Sequence, residues 1–370
     1  MIVFITSFIP NPRINKRIEI AQGVDSVSVI CVRRKDADIF TPNIQNVDYS
    51  ILELDIPSHN NLFKRIQCFL KFFSFVFKRL RLLRPRILHV QGMDCLFLAV
   101  VYKTFHKTAI IYEVSDVREY FYSKRTTLYP IILKNIEAFL IKFISKLIVT
   151  SDQFYNQFYC KYLPPYQMVY IPNIPNLQCF SSYHKTKHPL FTVGFIGGIR
   201  YIDQMKMLIS LTHSLPLKVI ISGGAFTQRD EIELIEYSKS YPNVVFTGKY
   251  VYKTDIAELY EKIDCVYAVY NADNKNVQIA LPNKLYESVY CELPIIVSSN
   301  TYLGEIVSEL GVGVAVSHKY PQELFDAIKK MISDPSYYQN LVDHCIRNKA
   351  RLLNNTSLDE LKQIYTSFAS

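Results

Sequence analysis

Short apolar runs alternate with longer segments of helical period along the whole chain. Runs of four to six apolar residues predict strands, and apolar residues recurring every three or four positions predict helices. In the first half the predicted strands are residues 2–5, 26–31, 87–90, 109–112 and 146–149, and the predicted helices are residues 13–22, 62–83, 96–104 and 130–143. Strands that alternate with helices indicate parallel βαβ units.

The same alternation restarts after a proline-rich interruption. Pro172 and Pro175 disfavour both a helix and a central strand, so they mark a domain boundary. The later predicted strands are residues 191–196, 217–222, 244–247, 265–269, 294–297 and 313–316. We predict an N-terminal domain at 1–172, a linker at 173–190, a C-terminal domain at 191–345, and a final helix within 346–370 that crosses back to the first domain.

This organisation predicts an α/β fold with two Rossmann-like, doubly wound domains that face a cleft. Ligands of open α/β sheets bind at the carboxyl ends of the strands, so we expect the functional residues there.

Charge separates the two halves. The 370 residues carry a formal net charge of +9, yet residues 1–172 hold 23 Lys and Arg against 13 Asp and Glu. All of the excess positive charge therefore lies in the first half. A basic half indicates an anionic partner, and the charge alone leaves nucleic acid, a membrane surface and a phosphorylated substrate open.

Cysteine and histidine placement argues against a metal or disulfide framework. The eight cysteines are scattered without a Cys-x-x-Cys pair, and the histidines do not cluster at metal-ligand spacing. This pattern predicts free thiols, no metal and a reducing compartment. The first residues, Met-Ile-Val-Phe-Ile-Thr-Ser, have the pattern of a strand and lack a signal peptide's basic start, so we expect a cytoplasmic protein.

Residues 62–86 combine basic and apolar side chains without an acid. A polar stripe at helical spacing runs along them through Lys64, Gln67, Lys71, Ser74, Lys78 and Arg81. Such a helix can lie on an anionic membrane with its lysine stems reaching outward. The alternative is a core helix with a solvated stripe. A second oily, basic segment at 131–147 supports the membrane interpretation, which predicts peripheral attachment to the inner face of the cell membrane.

The most informative motif is Leu-Pro-Asn-Lys-Leu-Tyr-Glu at 281–287, followed by a Pro-initiated apolar strand. Lys284 and Glu287 are three residues apart and share a helix face. Free amides at a helix start and a nearby lysine suit a phosphate, and a carboxylate can accept both ribose hydroxyls. The alternative is an ordinary amphipathic helix.

Together with Gly-Phe-Ile-Gly-Gly-Ile-Arg at 194–200 and the segment 255–264, this motif resembles the donor domain of family 4 glycosyltransferases. These GT-B enzymes include capsule and exopolysaccharide transferases. The resemblance implies transfer of a sugar from a nucleotide diphosphate sugar, with a UDP-sugar expected, to a saccharide acceptor, lipid-linked or oligosaccharide. It also implies retention at the anomeric carbon and no metal or other cofactor.

The resemblance also assigns donor residues. It implies that Glu287 binds the ribose and that Arg200 and Lys206 cradle the diphosphate after the Gly197–Gly198 turn. Asn283 and Lys284 are expected near the diphosphate or sugar, and the turn of Ser299, Asn300 and Thr301 completes the donor-binding set. The alternative for Arg200 and Lys206 is a solvated surface cation.

Two positions depart from the family pattern. Many members carry a second Glu eight residues before the first; this chain has Ile279 there, so the sugar contact is expected from Asn283 or residues 271–276. In the first domain the usual catalytic His position is Ser115, followed by Asp116.

Asp116 is a candidate to orient or deprotonate the acceptor hydroxyl, with helix capping as the alternative. Arg13, after the first strand, is a candidate acceptor contact or a partner of a nearby acid.

Two other functions stay open at this point, and a third is disfavoured. A nucleotide-sugar 2-epimerase of the same fold needs acids and a histidine in the cleft; Glu113 is a candidate acid and His89 a candidate histidine. A catalytically silent glycosyltransferase-like subunit is the second alternative. Nucleic-acid binding is disfavoured because the positive charge lies on a hydrophobic helix and the chain has no recognised nucleic-acid-binding motif.

Overall fold

The computed structural model describes residues 1–34, 40–55, 62–122, 128–354 and 356–369. The chain divides into two compact units. Unit 1 comprises Met1–Pro172 and Asn355–Ser370, and unit 2 comprises Asn173–Asn354.

Unit 1 is built on a parallel sheet in the order β3-β2-β1-β4-β5-β6-β7. Its strands are β1 Ile2–Thr6, β2 Val27–Arg34, β3 Asp48–Leu54, β4 Ile87–Gln91, β5 Ala109–Val114, β6 Lys146–Val149 and β7 Met168–Tyr170. The sequence pattern missed β3 and β7. Most of β3 is half-buried or exposed, so its pattern is not apolar, and β7 has only three residues at the other edge of the sheet.

The helices of unit 1 are α1 Pro12–Gln22, α2 Leu62–Leu83, α3 Met93–Lys103, α4 Leu128–Leu140, the short α5 Asp152–Phe154 and α14 Thr356–Ala369. Asn11 caps α1 by accepting a hydrogen bond from the Ile14 amide at 3.1 Å. Side chains of α1 and α14 share one core cluster with the sheet, including Ile14, Leu361 and Tyr365. Helix α3 is a neighbour of both α2 and α4.

Unit 2 repeats the parallel design in the order β10-β9-β8-β11-β12-β13. Its strands are β8 Phe191–Ile196, β9 Leu217–Ser222, β10 Val244–Gly248, β11 Cys265–Ala268, β12 Ile295–Ser298 and β13 Gly313–Val316. Its helices are α6 Ile202–Ser210, α7 Gln228–Ser238, α8 Tyr252–Glu261, α9 Lys275–Ile279, α10 Asn283–Tyr290, α11 Tyr302–Leu310, α12 Pro321–Ser333 and α13 Pro335–Leu353. The predicted α/β fold class is confirmed.

The structure moves two of the expected boundaries. Residue 345 lies inside the continuous helix α13, because no helix-breaking residue occurs between Pro335 and Leu353. The Cys345 thiol is buried there and lies 3.6 Å from the carbonyl oxygens of Leu293 and Val312. Residues 173–190 belong to unit 2, and Phe180 among them is buried against tyrosine rings, so this segment packs against unit 2 and is not a free linker.

Candidate functional site

The strand ends of unit 2 approach one another closely where β8 and β9 finish. Gly197 has φ 145° and Gly223 has φ 134°, both in the region that favours glycine. A Cβ added at Gly223 would lie 2.0 Å from the carbonyl oxygen of Gly197, so only glycine fits there. Gly198 is different, because a Cβ there would make an ordinary 3.5 Å contact with Phe226. The close approach therefore depends on Gly197 and Gly223.

Lys284 places a buried ammonium group beside this turn. The side chain is 9% exposed, and its Nζ lies 4.7 Å from the centroid of the Phe195 ring and 5.8 Å from that of Tyr270. A Cβ added at Gly197 would lie 2.6 Å from the same Nζ. Within the described ranges, no ion pair joins Lys284 to an acid. The aromatic faces compensate only part of the cost of burying a cation, so this group is suited to an anionic ligand.

Glu287 lies one helical turn after Lys284 on α10 and is 4% exposed. Its two carboxylate oxygens accept hydrogen bonds from the hydroxyls of Tyr252, at 2.7 Å, and Tyr260, at 2.6 Å. Burial and the nearby Glu287 charge raise the pKa of both tyrosines, which keeps them as donors. Each oxygen retains a further acceptor position, and no cation partners the carboxylate within the part of the chain described.

The other residues predicted to bind the sugar donor have different contacts. The Asn283 side-chain oxygen accepts a hydrogen bond from the Asn173 amide at 2.8 Å. Ser299 and Asn300 form the turn after β12, with Asn300 at φ 57°. The Thr301 hydroxyl caps α11 by accepting from the Gly304 amide at 2.9 Å and donates to the Ser298 carbonyl at 2.7 Å. The Thr301 side chain is thus engaged in capping the helix, and its role in binding the nucleotide sugar stays a prediction.

Arg200 and Lys206 have different surroundings from Lys284. The exposed Arg200 guanidinium lies 4.2 Å from the centroid of the Phe226 ring, in the loop after β8. Lys206 forms a 2.6 Å ion pair with Glu233 on α7. Its partners therefore lie on a neighbouring helix, which supports the alternative of a surface cation for Lys206.

Unit 1 has its own cavity, of about 380 Å³, at the carboxyl ends of β1, β4 and β5. Four residues singled out by the sequence line it: Arg13, Glu113, Ser115 and Asp116. The structure adds others that the sequence analysis missed, namely Arg34, Gln91 and Arg118. Arg34 and Gln91 are the last residues of β2 and β4, so their position at a strand's carboxyl end was the available signal.

The sequence analysis gave Arg13 as an acceptor contact or as the partner of a nearby acid, and in the structure it pairs with Glu113. The Arg13 Nε lies 3.0 Å from Glu113 Oε1, while Arg17 Nε and His89 Nε2 lie 3.4 and 3.1 Å from Oε2. Burial opposes ionisation of Glu113, but these neighbours, Arg17 foremost, hold its pKa well below the usual value. Burial lowers the pKa of His89, which favours neutral imidazole.

Gln91 and Ser115, which both line this cavity, are hydrogen bonded to each other. The Gln91 side-chain nitrogen donates to the Ser115 hydroxyl at 3.0 Å. Its side-chain oxygen is buried and accepts no hydrogen bond from the residues described. A buried acceptor without a donor is unfavourable, so this oxygen is available to a hydroxyl donor from a ligand. Asp116, which also lines the cavity, is exposed.

Residues 191–334 match the family model for glycosyl transferases group 1. The matched segment spans β8 to the end of α12, so it contains Lys284 and Glu287 but none of the unit 1 cavity. None of the curated proteins compared with the chain matches it.

Solved structures share the fold over the full length. A sucrose-phosphate synthase from Thermosynechococcus elongatus has a TM-score of 0.73 at 16% identity, with 100% of each chain covered. Anabaena HepE in complex with UDP has a TM-score of 0.71 at 15% identity, covering 100% of this chain and 99% of that one. WaaG, a glycosyltransferase involved in lipopolysaccharide biosynthesis, has a TM-score of 0.70 at 14% identity, covering 99% and 100%. These likenesses establish the two-domain GT-B fold.

The described ranges lack two further features. They contain no group of three or more His, Cys, Asp or Glu side chains arranged to hold a metal ion. Nor do they contain a helix whose length and apolar character would allow it to cross a membrane.

Proposed function

We propose that the chain is a glycosyltransferase that binds a nucleotide diphosphate sugar, with a UDP-sugar as first candidate, through unit 2. The observation that carries the proposal is the buried Lys284 ammonium at the Gly197 turn, without an acidic partner among the described residues and one turn before Glu287. The family match over 191–334 and the UDP complex of Anabaena HepE support it.

The chemistry follows from the charges in unit 2. Departure of a nucleotide diphosphate develops negative charge on its leaving oxygen, and a preorganised cation at that position lowers the barrier. Lys284 supplies that cation, and the exposed Arg200 fork is available for a second contact. Glu287 accepts the ribose hydroxyls through its remaining lone pairs. With side-chain cations on the diphosphate, the proposed reaction needs no metal, and we propose that it retains the anomeric configuration.

For the acceptor, we propose the unit 1 cavity. Its hydrogen-bonding groups suit a saccharide: the Gln91 oxygen lacks a donor within the described chain, and the exposed Asp116 lines the same cavity. We propose that Asp116 orients the reacting hydroxyl. We propose a lipid-linked acceptor of bacterial surface polysaccharide synthesis, as in a capsule, exopolysaccharide or O-antigen of the family 4 type. The involvement of WaaG in lipopolysaccharide biosynthesis supports this class of product.

Helix α2 supports a cytoplasmic, membrane-associated location. All six positions of its polar stripe are exposed: Lys64, Gln67, Lys71, Ser74, Lys78 and Arg81. Large apolar side chains are exposed on the same helix, including Phe63 at 71% and Leu70 at 58%, and on α4, including Leu128 at 75%. Exposed apolar groups beside lysines are typical of a helix that lies in an anionic membrane surface. We therefore propose peripheral attachment through residues 62–86.

The test begins with thermal shift against UDP-, GDP- and dTDP-sugars, since a ligand that binds the folded state raises its stability. Release of nucleoside diphosphate is then measured with the best donor and a saccharide acceptor. We expect Lys284→Met to weaken donor binding at least about tenfold and to reduce turnover, and Lys239→Gln, at an exposed residue directly after α7, to retain both. Undiminished donor binding and turnover by Lys284→Met would overturn the proposal.

The same assay separates the alternatives. A nucleotide-sugar 2-epimerase converts the donor to its epimer without an acceptor, which nuclear magnetic resonance of the sugar detects. A silent subunit binds the donor and leaves it unchanged with every acceptor. Transfer with release of nucleoside diphosphate excludes both.

A further inference from the structure

A second cavity of unit 1 lies between the ends of α2 and α3 and measures about 780 Å³. Both helices lead there into the amino ends of strands, β4 and β5, whereas the candidate acceptor cavity lies at the carboxyl ends. The two cavities have no lining residue in common. This cavity is therefore separate from the site proposed for transfer.

Its lining is cationic. Arg81, Arg84 and Lys107 contribute three permanent positive charges, and none of the described residues that line it is acidic. Nor does an ion pair engage any of the three within the described chain. Attraction to the carboxyl end of α2 accounts for Arg81, which lies in the last helical turn. It does not account for Lys107, which comes from the loop between α3 and β5.

Arg84 adds a second, independent observation. It follows α2 with φ 46°, and its amide donates to the Leu80 carbonyl at 2.9 Å. This left-handed position after a helix is usually glycine, because other side chains are strained there. Here it holds a long cation that lines the cavity. Residues strained in this way cluster at functional sites, so the conformation of Arg84 points to a ligand at this cavity.

The remaining walls are aromatic. Phe77 and Tyr102 come from α2 and α3, and Phe105 is 76% exposed at the cavity. Leu82, on the neighbouring face of α2, is 70% exposed. Cations beside exposed apolar groups suit a phosphate that is attached to an apolar body. Arg81 also belongs to the polar stripe of α2, so the cavity continues the surface proposed to contact the membrane.

We propose that this cavity binds a phosphomonoester headgroup of a membrane lipid, with the phosphate on Arg81, Arg84 and Lys107. The lipid source rests on the proposed membrane attachment of α2; the preference for a phosphomonoester rests on the cavity itself. Three cations that line one cavity favour a dianion over the single charge of a phosphodiester.

The test compares vesicles that contain phosphatidic acid with vesicles that contain phosphatidylglycerol at equal surface charge. We expect the wild type to bind the phosphatidic acid vesicles about tenfold more tightly, as for one or two added charge-assisted hydrogen bonds. The double variant Arg84→Gln/Lys107→Gln is expected to lose this preference. The matched control Lys71→Gln/Lys78→Gln removes the same charge from the stripe outside the cavity and is expected to weaken both kinds of binding while keeping the preference.

A second variant separates binding from folding. Arg84→Gly relieves the left-handed strain, so we expect its melting temperature to rise while the preference for phosphatidic acid disappears. Glycerol 3-phosphate in solution identifies the phosphate source: binding that depends on Arg84 and Lys107, without a vesicle preference, would overturn the lipid source. A preference retained by both Arg84 variants would overturn the site. Donor-sugar binding, measured without vesicles, tests the transferase proposal separately.

Discussion

Two buried carboxylates, one in each unit, are held in opposite ways. Glu113 of unit 1 is fully buried among Arg13, Arg17 and His89, which offset its charge. Glu287 of unit 2 is held by two neutral tyrosine hydroxyls. The charge of Glu113 is offset by cations within unit 1, whereas no cation among the described residues pairs with Glu287, as its proposed role in ligand binding requires.

Glu137 shows what tyrosine hydroxyls do for a buried carboxylate that forms no ion pair within the described residues, although the charge of the nearby Arg118 acts to lower its pKa. It accepts hydrogen bonds from Tyr112, Tyr120 and Tyr159, yet burial raises its pKa. Phenol hydroxyls satisfy the lone pairs of a carboxylate, but they do not replace a cation. The same reasoning applies to Lys284, whose aromatic neighbours offset only part of its charge.

The largest expected effect comes from Glu113→Gln. It leaves the Arg17 guanidinium, 2% exposed, without its anion, and breaking a buried pair costs about 3–5 kcal/mol. Urea unfolding followed by a probe of unit 1 measures the loss. Glu287→Gln is the matched control, with an expected loss of about 1 kcal/mol, because one tyrosine still donates to the amide oxygen and the hydroxyl of the other can accept from the amide nitrogen. Equal losses for the two variants would contradict the conclusion that the charge of Glu113, unlike that of Glu287, is paired within its own unit.

The second prediction concerns ligand affinity. Lys284→Met removes a buried charge without breaking an ion pair, so we expect unchanged or higher stability of unit 2. Loss of a charge-assisted contact to the diphosphate is expected to weaken nucleoside diphosphate binding about tenfold to a hundredfold. Titration calorimetry and thermal unfolding of one preparation measure both quantities. A variant that is destabilised and still binds with full affinity would contradict a ligand role for Lys284.

The sequence allowed the two α/β units and the motif at 281–287 to be predicted, because strand–helix alternation and the Lys284–Glu287 spacing are local properties. It did not allow the partners of these residues to be predicted. Tyr252 and Tyr260 reach Glu287 from α8, and Arg17 reaches Glu113 across 96 positions of sequence. Lys206 illustrates the limit: its spacing from Arg200 suited a diphosphate, yet the packing of α6 against α7 places it on Glu233.

A smaller effect is expected from pH. Burial lowers the pKa of His89 below its usual 6.5, so the unfolded chain binds a proton more readily than folded unit 1 does. Stability is then present above about pH 6.5 and is lost as the pH falls towards the folded-state pKa. The lowered pKa of Glu113 acts in the same direction at more acidic pH. We expect the urea midpoint of unit 1 to fall between about pH 7.5 and pH 5.5, and His89→Gln to flatten that slope. A midpoint that rises on acidification would contradict a neutral, buried His89.

The smallest effect tests how far the charge network of unit 1 extends. The Glu113 carboxylate only accepts, so His89 Nε2 carries the proton and Nδ1 accepts from the Tyr365 hydroxyl at 2.7 Å. Tyr365→Phe removes this hydrogen bond from α14 and keeps the buried ring, so we expect a loss of about 0.5–1.5 kcal/mol from unit 1. In the double variant His89→Gln/Tyr365→Phe the two losses are expected to be less than additive, because the second residue's partner is already gone. Strict additivity in urea unfolding would mean that the Tyr365–His89 hydrogen bond does not help to hold α14 and that the network ends at His89.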